Sequence, residues 1–134
     1  MQYDMSRTTL FEVSWEVCNK VGGIYAVVSS KALEAAALGF NEIQFDYIRF
    51  ATDSTMKNVV FDEADTKGRS KTDVITEFVK YAYENLPKEN VFVSADVFGT
   101  IIGSKVDADT VGQIYHDMAA HLDYICPMIY PSHY

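Results

Sequence analysis

Four segments of the chain alternate apolar and polar residues, which is the pattern of a β-strand with one buried face. The predicted strands cover residues 10–17, 42–50, 91–98 and 124–130. Between them, apolar residues recur at helical spacing and predict helices over residues 24–38, 72–86 and 107–121. Residues 51–70 are polar and predict a loop, long enough for it to be functional or mobile.

The resulting order, β-α-β-α-β-α-β, indicates an α/β fold with a parallel sheet and right-handed crossovers. Two architectures fit: half of a TIM-type barrel, or a small open parallel four-stranded sheet flanked by helices. A closed (β/α)₈ barrel needs roughly 250 residues, and this chain has 134, so it would be only part of one. We expect residues 1–9 to be a disordered or artificially added N-terminus, and residues 10–134 to form one α/β domain.

Composition narrows the class of protein. Apolar residues make up 49% and charged residues 22% of the chain, the balance of a globular protein. The net charge of −8 disfavours nucleic acid or an anionic membrane as partner. No apolar run reaches about 18 residues, so we expect no membrane span. Cys18 and Cys126 are predicted to be buried thiols in a reducing, cytoplasmic compartment.

Two aspartates lie where parallel sheets gather their ligands, at the C-terminal ends of the strands. Asp46 and Asp96 each fall near the end of a predicted strand, on the face opposite its apolar stripe. Two carboxylates on neighbouring strands are the minimum set for glycoside hydrolysis, in which one donates a proton and the other attacks or activates water. In the alternative interpretation, each aspartate caps the following loop or pairs with Arg49.

Further polar residues follow the same strands and are candidates for substrate binding: Arg49, Tyr130 and His133. An arginine can hold a carboxylate or a hydroxyl, and Tyr130 with Tyr134 can form a platform for a sugar ring. The plainer alternatives are a salt bridge, core packing and a solvated histidine. No His/Cys/Asp spacing is typical of a metal site, and no motif indicates a cofactor.

A glycine-containing turn, Lys20-Val21-Gly22-Gly23, lies between the first predicted strand and helix. Two glycines allow a ligand to approach the backbone, and a helix N-terminus with a nearby lysine favours a phosphate. Residues 10–25, LFEVSWEVCNKVGGIY, resemble the N-terminal segment of glycogen synthases, and the likeness continues to about residue 32. In that family the Lys-x-Gly-Gly turn contacts the nucleotide-sugar donor. The resemblance therefore implies that Lys20, Gly22 and Gly23 bind UDP- or ADP-glucose, although the second nucleotide-binding domain of that family is absent.

Residues 33–134 resemble a different family, uncharacterised glycoside hydrolases with a (β/α)₈ barrel. Three blocks carry this resemblance, at residues 39–50 (GFNEIQFDYIRF), 93–99 (VSADVFG) and 127–134 (PMIYPSHY). Ala51 departs from the family, which usually has a proline there. The resemblance implies a carbohydrate substrate and places Asp46 and Asp96 within its motifs.

The junction between the two resemblances falls in residues 29–33, inside one predicted helix, so the chain has the features of a mosaic or chimera. Three functions stay open: a glycosidase-like site at Asp46 and Asp96, a nucleotide-sugar site at the glycine turn, and a folded chain without activity. The expected partners are a carbohydrate or a sugar nucleotide. Half a barrel also leaves open sheet edges, through which two copies can associate.

Overall fold

The structure is a computed structural model that describes residues 8–12, 24–52, 58, 60, 63–86 and 91–133. The strands are β1 (Thr8–Glu12), β2 (Glu42–Asp46), β3 (Phe92–Phe98) and β4 (Tyr124–Met128). The helices are α1 (Ile24–Ala37), α2 (Glu63–Thr66), α3 (Lys71–Asn85), α4 (Lys105–Val111) and α5 (Tyr115–Ala119). Short 3-10 turns cover Gly99–Ile102 and Pro131–His133.

The four strands form one parallel sheet in the order β1-β2-β3-β4, which confirms the predicted α/β class. Each strand pairs with the next strand along the chain. Because crossovers between parallel strands are right-handed, this sequential order carries every connecting helix to the same face of the sheet. A (β/α)₈ barrel is wound in this way, whereas a doubly wound sheet reverses its strand order and has helices on both faces.

The apolar stripes of the central strands form the core. Along β2 and β3, the residues that point to the helices are almost fully inaccessible: Ile43, Phe45, Val93, Ala95 and Val97. The ring of Phe45 meets that of Phe78 on α3 edge-on, with 5.5 Å between centroids. The alternate residues of the same strands lie on the opposite face, which carries the polar side chains. The sequence pattern therefore predicted correctly which face of β2 and of β3 packs on the helices.

Helix α3 shows why the polar residues at the end of the 51–70 loop begin a helix. The Ser70 hydroxyl accepts from the backbone N–H of Asp73, and the Asp73 carboxylate accepts from the N–H of Ser70, a capping box. These contacts with Ser70 hold the pKa of Asp73 below its ordinary value. Within the loop itself, the structure adds the one-turn helix α2, which the sequence pattern did not predict.

Several predicted boundaries were wrong. β1 is described over Thr8–Glu12 and begins two residues before its predicted start, whereas its predicted end at residue 17 lies outside the described part of the chain. β2 ends at Asp46, four residues before the predicted end, because Tyr47 takes a left-handed conformation with φ of 56°. β4 likewise ends at Met128.

The predicted helix over residues 107–121 is divided into α4 and α5. Gly112 ends α4 with φ of 80°, a left-handed conformation that breaks the helical path. A Cβ at this position would lie 2.9 Å from both the carbonyl oxygen of Lys71 and Cδ2 of Phe50. Packing as well as backbone conformation therefore requires glycine here.

No helix in the described residues is long and apolar enough to cross a membrane.

Candidate active site

The ends of β2, β3 and β4 surround a cleft of about 130 Å³. It is lined by Asp46, Tyr47, Arg49, Asp96, Phe98, Gln113, Met128 and Tyr130. Typical ligand pockets enclose about 300 Å³ or more, so this cleft is too small to enclose a large ligand. It can contact only the part of a ligand that lies next to the two aspartates.

The register of the strands explains why Asp46 and Asp96 meet. β2 and β3 pair in parallel, and their last paired residues are Phe45 and Ala95. Asp46 and Asp96 follow directly, so they occupy matching positions on neighbouring strands, which lie about 4.8 Å apart in a sheet. Both are half-buried and both line the cleft. The structure therefore brings the two predicted carboxylates to one rim of the sheet.

The surroundings of Asp96 favour its protonated form. Burial, followed by the negative charge of Asp46, raises the pKa of Asp96 above its ordinary value. Glu42 adds a smaller contribution in the same direction. The amide of Gln44 donates to Oδ1 of Asp96 over 2.7 Å and opposes the rise. Asp96 is consequently the carboxyl group better suited to donate a proton.

Asp46 makes a different contact. Its Oδ1 accepts a hydrogen bond from the backbone N–H of Tyr47 over 2.8 Å, which fits a carboxylate acting as an acceptor. The contact holds Asp46 at the left-handed turn that ends β2. It also agrees with part of the plainer interpretation, because the side chain caps its own loop.

Arg49 does not form the ion pair considered for it. Within the described residues, no carboxylate lies at ion-pair distance from its guanidinium. The group lies instead over the ring of Phe98, 4.7 Å from the centroid, and 5.5 Å from that of Tyr47. Its Nη1 donates to the carbonyl oxygen of Phe50 over 3.2 Å. Arg49 is thus held by aromatic rings and backbone beside the aspartates.

Of the other two residues predicted to bind substrate, Tyr130 lies at the cleft and His133 cannot be placed in it. Tyr130 lines the cleft with 46% of its surface exposed, so it is not a core residue, and its hydroxyl donates to Sδ of Met128 over 3.5 Å. His133 lies in a 3-10 turn, but its side chain is outside the described part of the structure. The predicted positions Cys18, Lys20, Gly22, Gly23 and Tyr134 also lie outside the described residues.

The prediction that Cys126 is buried was wrong. Cys126 pairs in register with Asp96 on the polar face and is partly exposed rather than buried. Partial burial, and then the negative charge of Asp96, raise the pKa of the Cys126 thiol. Its neutral thiol therefore adds no charge to the cleft. Among the described residues, no group of three or more His, Cys, Asp or Glu side chains could hold a metal ion.

Four cleft residues were missed by the sequence analysis: Tyr47, Phe98, Gln113 and Met128. Tyr47 is 52% exposed and is held in a left-handed conformation, uncommon for a bulky residue, directly after Asp46. Gln113 is 1% exposed, although the sequence pattern places it in the middle of a continuous helix. The signal for Gln113 was its neighbour Gly112, because a glycine inside a helical pattern can mark a break.

The fold and the site together define a class: a singly wound parallel α/β protein with a pair of carboxylates at the C-terminal rim of its sheet. A profile of the family described as "Putative glycosyl hydrolase domain" matches residues 22–134, and the chain belongs to this family. The match begins before the predicted junction at residues 29–33, so all of helix α1 falls within it.

Short stretches also match a second kind of protein. The "Glycogen [starch] synthase" of Dictyostelium discoideum is 56% identical over 32 residues, which are 24% of this chain and 4% of that protein. The "Glycogen [starch] synthase, liver" of Homo sapiens is 67% identical over 27 residues, 20% of this chain and again 4% of that protein. The two kinds of match are what a chain of mixed origin would give. No solved structure matches the chain.

Proposed function

We propose that this chain provides a glycoside-hydrolase site in which Asp96 donates the proton to the leaving oxygen and Asp46 is the second carboxylate. The observation that carries the proposal is the pairing of Asp46 and Asp96 at matching positions of adjacent strands, with the pKa of Asp96 raised by burial and by Asp46. Glycoside hydrolases usually cleave the glycosidic bond with a pair of carboxyl groups, one of which has a raised pKa. Membership of the family supports a carbohydrate as the substrate class.

The spacing of the pair favours one stereochemical outcome. Retaining enzymes have carboxyl groups about 5–5.5 Å apart, and inverting enzymes about 6.5–9.5 Å apart, to leave room for a water molecule. Side chains at matching positions of neighbouring strands start from backbones about 4.8 Å apart. We therefore propose that Asp46 acts as a nucleophile and that the anomeric configuration is retained.

The rim of the cleft suits a sugar ring. The half-exposed rings of Tyr47 and Tyr130 lie on its border and offer apolar faces to pyranose C–H groups. The guanidinium of Arg49, stacked beside them, has donors for substrate hydroxyl groups. In this proposal these three residues bind the sugar whose bond is cleaved, and His133 stays a further candidate.

The test is hydrolysis of a panel of nitrophenyl glycosides by the wild type and by Asp46→Asn and Asp96→Asn. Each variant should lose at least about 100-fold in kcat/KM. Asp96→Asn should lose less on dinitrophenyl glycosides, because a good leaving group needs no proton. The control is Asp109→Asn, an exposed residue of α4 that pairs with Lys105 and is not part of the cleft lining. Unchanged turnover in both cleft variants would refute the assignment, and no turnover by the wild type would favour a chain without activity.

A second candidate function is favoured by the glycogen synthase matches. In this alternative, Lys20, Gly22 and Gly23 bind the phosphates of a sugar nucleotide without turnover. Binding to the native state raises the unfolding temperature, so UDP-glucose should raise the Tm of the wild type and not that of Lys20→Ala. A Tm that responds to neither UDP-glucose nor ADP-glucose would reject this alternative.

The open sheet suggests self-association as well. In the described part of the chain β4 is an edge strand, and Tyr124 and Ile129 near it are 48% and 67% exposed. An unpaired edge with apolar neighbours favours strand addition. We propose a homodimer through this edge, to be measured by light scattering; a monomer at all concentrations tested would contradict it.

A further inference from the structure

A buried glutamine connects the ends of the two strands that carry the aspartates. Oε1 of Gln113 accepts from the backbone N–H of Phe98 over 3.1 Å, and Nε2 donates to the carbonyl oxygen of Ile48 over 3.1 Å. Ile48 is two residues beyond Asp46, and Phe98 is two residues beyond Asp96. One partner is a donor and the other an acceptor, so the amide can satisfy both in only one orientation.

The ladder of β2 and β3 stops just before the aspartates, with Phe45 and Ala95 as its last pair. Beyond that pair, the side-chain amide of Gln113 joins the backbone of Ile48 to that of Phe98. Asp46 and Asp96 therefore lie between the last pair of the ladder and this connection. The two carboxylates repel each other when both are charged. A fixed connection on each side of them opposes their separation.

The local fold around Gln113 is itself fixed. The N–H groups of Gly112 and Gln113 both donate to the carbonyl oxygen of Ala108, over 2.9 and 3.0 Å. The N–H of Phe50 donates to the carbonyl oxygen of Val111 over 2.8 Å, which ties the end of α4 to the segment after β2. The break at Gly112 thus directs Gln113 to the strand ends.

We propose that Gln113 is a positioning residue that sets the separation of Asp46 and Asp96. This inference rests on the proposed function for its catalytic consequence, but its structural claim can be tested without turnover. Displacement of a reacting group by about 1 Å can cost 10²-fold in rate. The amide of Gln113 bonds the backbone of Phe98 and Ile48, so in this proposal it acts through the strand ends and its loss should change kcat far more than KM.

The experiment follows the titration of the Asp96 carboxyl carbon by NMR in the wild type and in Gln113→Met, a variant of similar size without the two hydrogen bonds. The groups that act on Asp96 are Asp46 and Glu42 from β2, the amide of Gln44, and Cys126 across from it on β4. When the strand ends separate, the repulsion from Asp46 weakens. The pKa of Asp96 should then fall, and kcat on a nitrophenyl glycoside should fall by about tenfold or more.

The matched control is Val79→Ala, a buried position of α3 away from the cleft. It should lower the Tm and leave the titration of Asp96 and the kcat unchanged. If Gln113→Met does not fold, Gln113→Asn, whose side chain is one methylene too short to reach both partners, takes its place. A folded Gln113 variant with the wild-type titration of Asp96 would overturn the proposal. A shifted titration in a protein that hydrolyses no glycoside would keep it and refute the proposed function instead.

Discussion

The glycine at the break between α4 and α5 allows a quantitative test of the fold that supports the site. In Gly112→Ala, the new Cβ meets the Lys71 carbonyl oxygen and Phe50 Cδ2 at 2.9 Å each, at a φ of 80°. The left-handed conformation costs a non-glycine residue about 1–2 kcal/mol, and overpacking in a filled region costs about 1–3 kcal/mol. The expected loss in the free energy of unfolding is therefore about 2–5 kcal/mol.

Two other glycines separate these contributions. Gly39 has a φ of 97°, and a Cβ added there would have nothing within 4 Å, so Gly39→Ala should lose only the conformational part, about 1–2 kcal/mol. Gly103 has a φ of −105° and open space, so Gly103→Ala should gain about 0.4–1 kcal/mol from a less flexible unfolded chain. Urea unfolding followed by circular dichroism measures all three. A loss at Gly112 no greater than that at Gly39 would refute the argument that packing fixes this break.

Three further predictions concern the cleft. The pKa of Asp96 is higher in the native state than in the unfolded chain. As the pH rises, the unfolded chain therefore releases this proton first, from about pH 3.9. The free energy of unfolding falls from there until the pH passes the native pKa. Asp96→Asn should therefore lower kcat/KM by at least about 100-fold yet raise the free energy of unfolding slightly at pH 7, the gain being small because the group is partly exposed, with no gain at pH 3 by urea titration. Tyr47→Asn should relieve about 1 kcal/mol of left-handed strain while raising KM about fivefold through loss of ring contact; an unchanged KM would remove Tyr47 from the binding site. The first product formed, followed by NMR, should keep the anomeric configuration of the substrate, and its inversion would contradict Asp46 as nucleophile.

Much of this fold could be predicted because the sequence repeats one simple pattern. Alternation identified the buried faces of β2 and β3, and the same alternation put Asp46 and Asp96 on the opposite face. Parallel neighbouring strands end at one rim, so their proximity followed from the order of the elements. These inferences needed only local periodicity and general rules of topology.

The remaining features depend on contacts between distant segments. The residue type does not predict the left-handed turn at Tyr47, because tyrosine rarely adopts this conformation. Gln113 looks like one position of an amphipathic helix, because its partners, Ile48 and Phe98, are far away in the sequence. The position of Arg49 over the ring of Phe98 likewise depends on β3, which is far away in the sequence.

In the proposed site, Asp46 and Asp96 act on each other across one cleft. The most direct measurement is the pKa of Asp96, from carboxyl-carbon NMR, in the wild type, in Asp46→Asn and in the exposed α3 control Glu84→Gln. We expect a raised pKa of Asp96 in the wild type and in the control, and a lower one in Asp46→Asn, where the neighbouring charge is gone. The same pKa in all three proteins would show that the two aspartates do not form a pair.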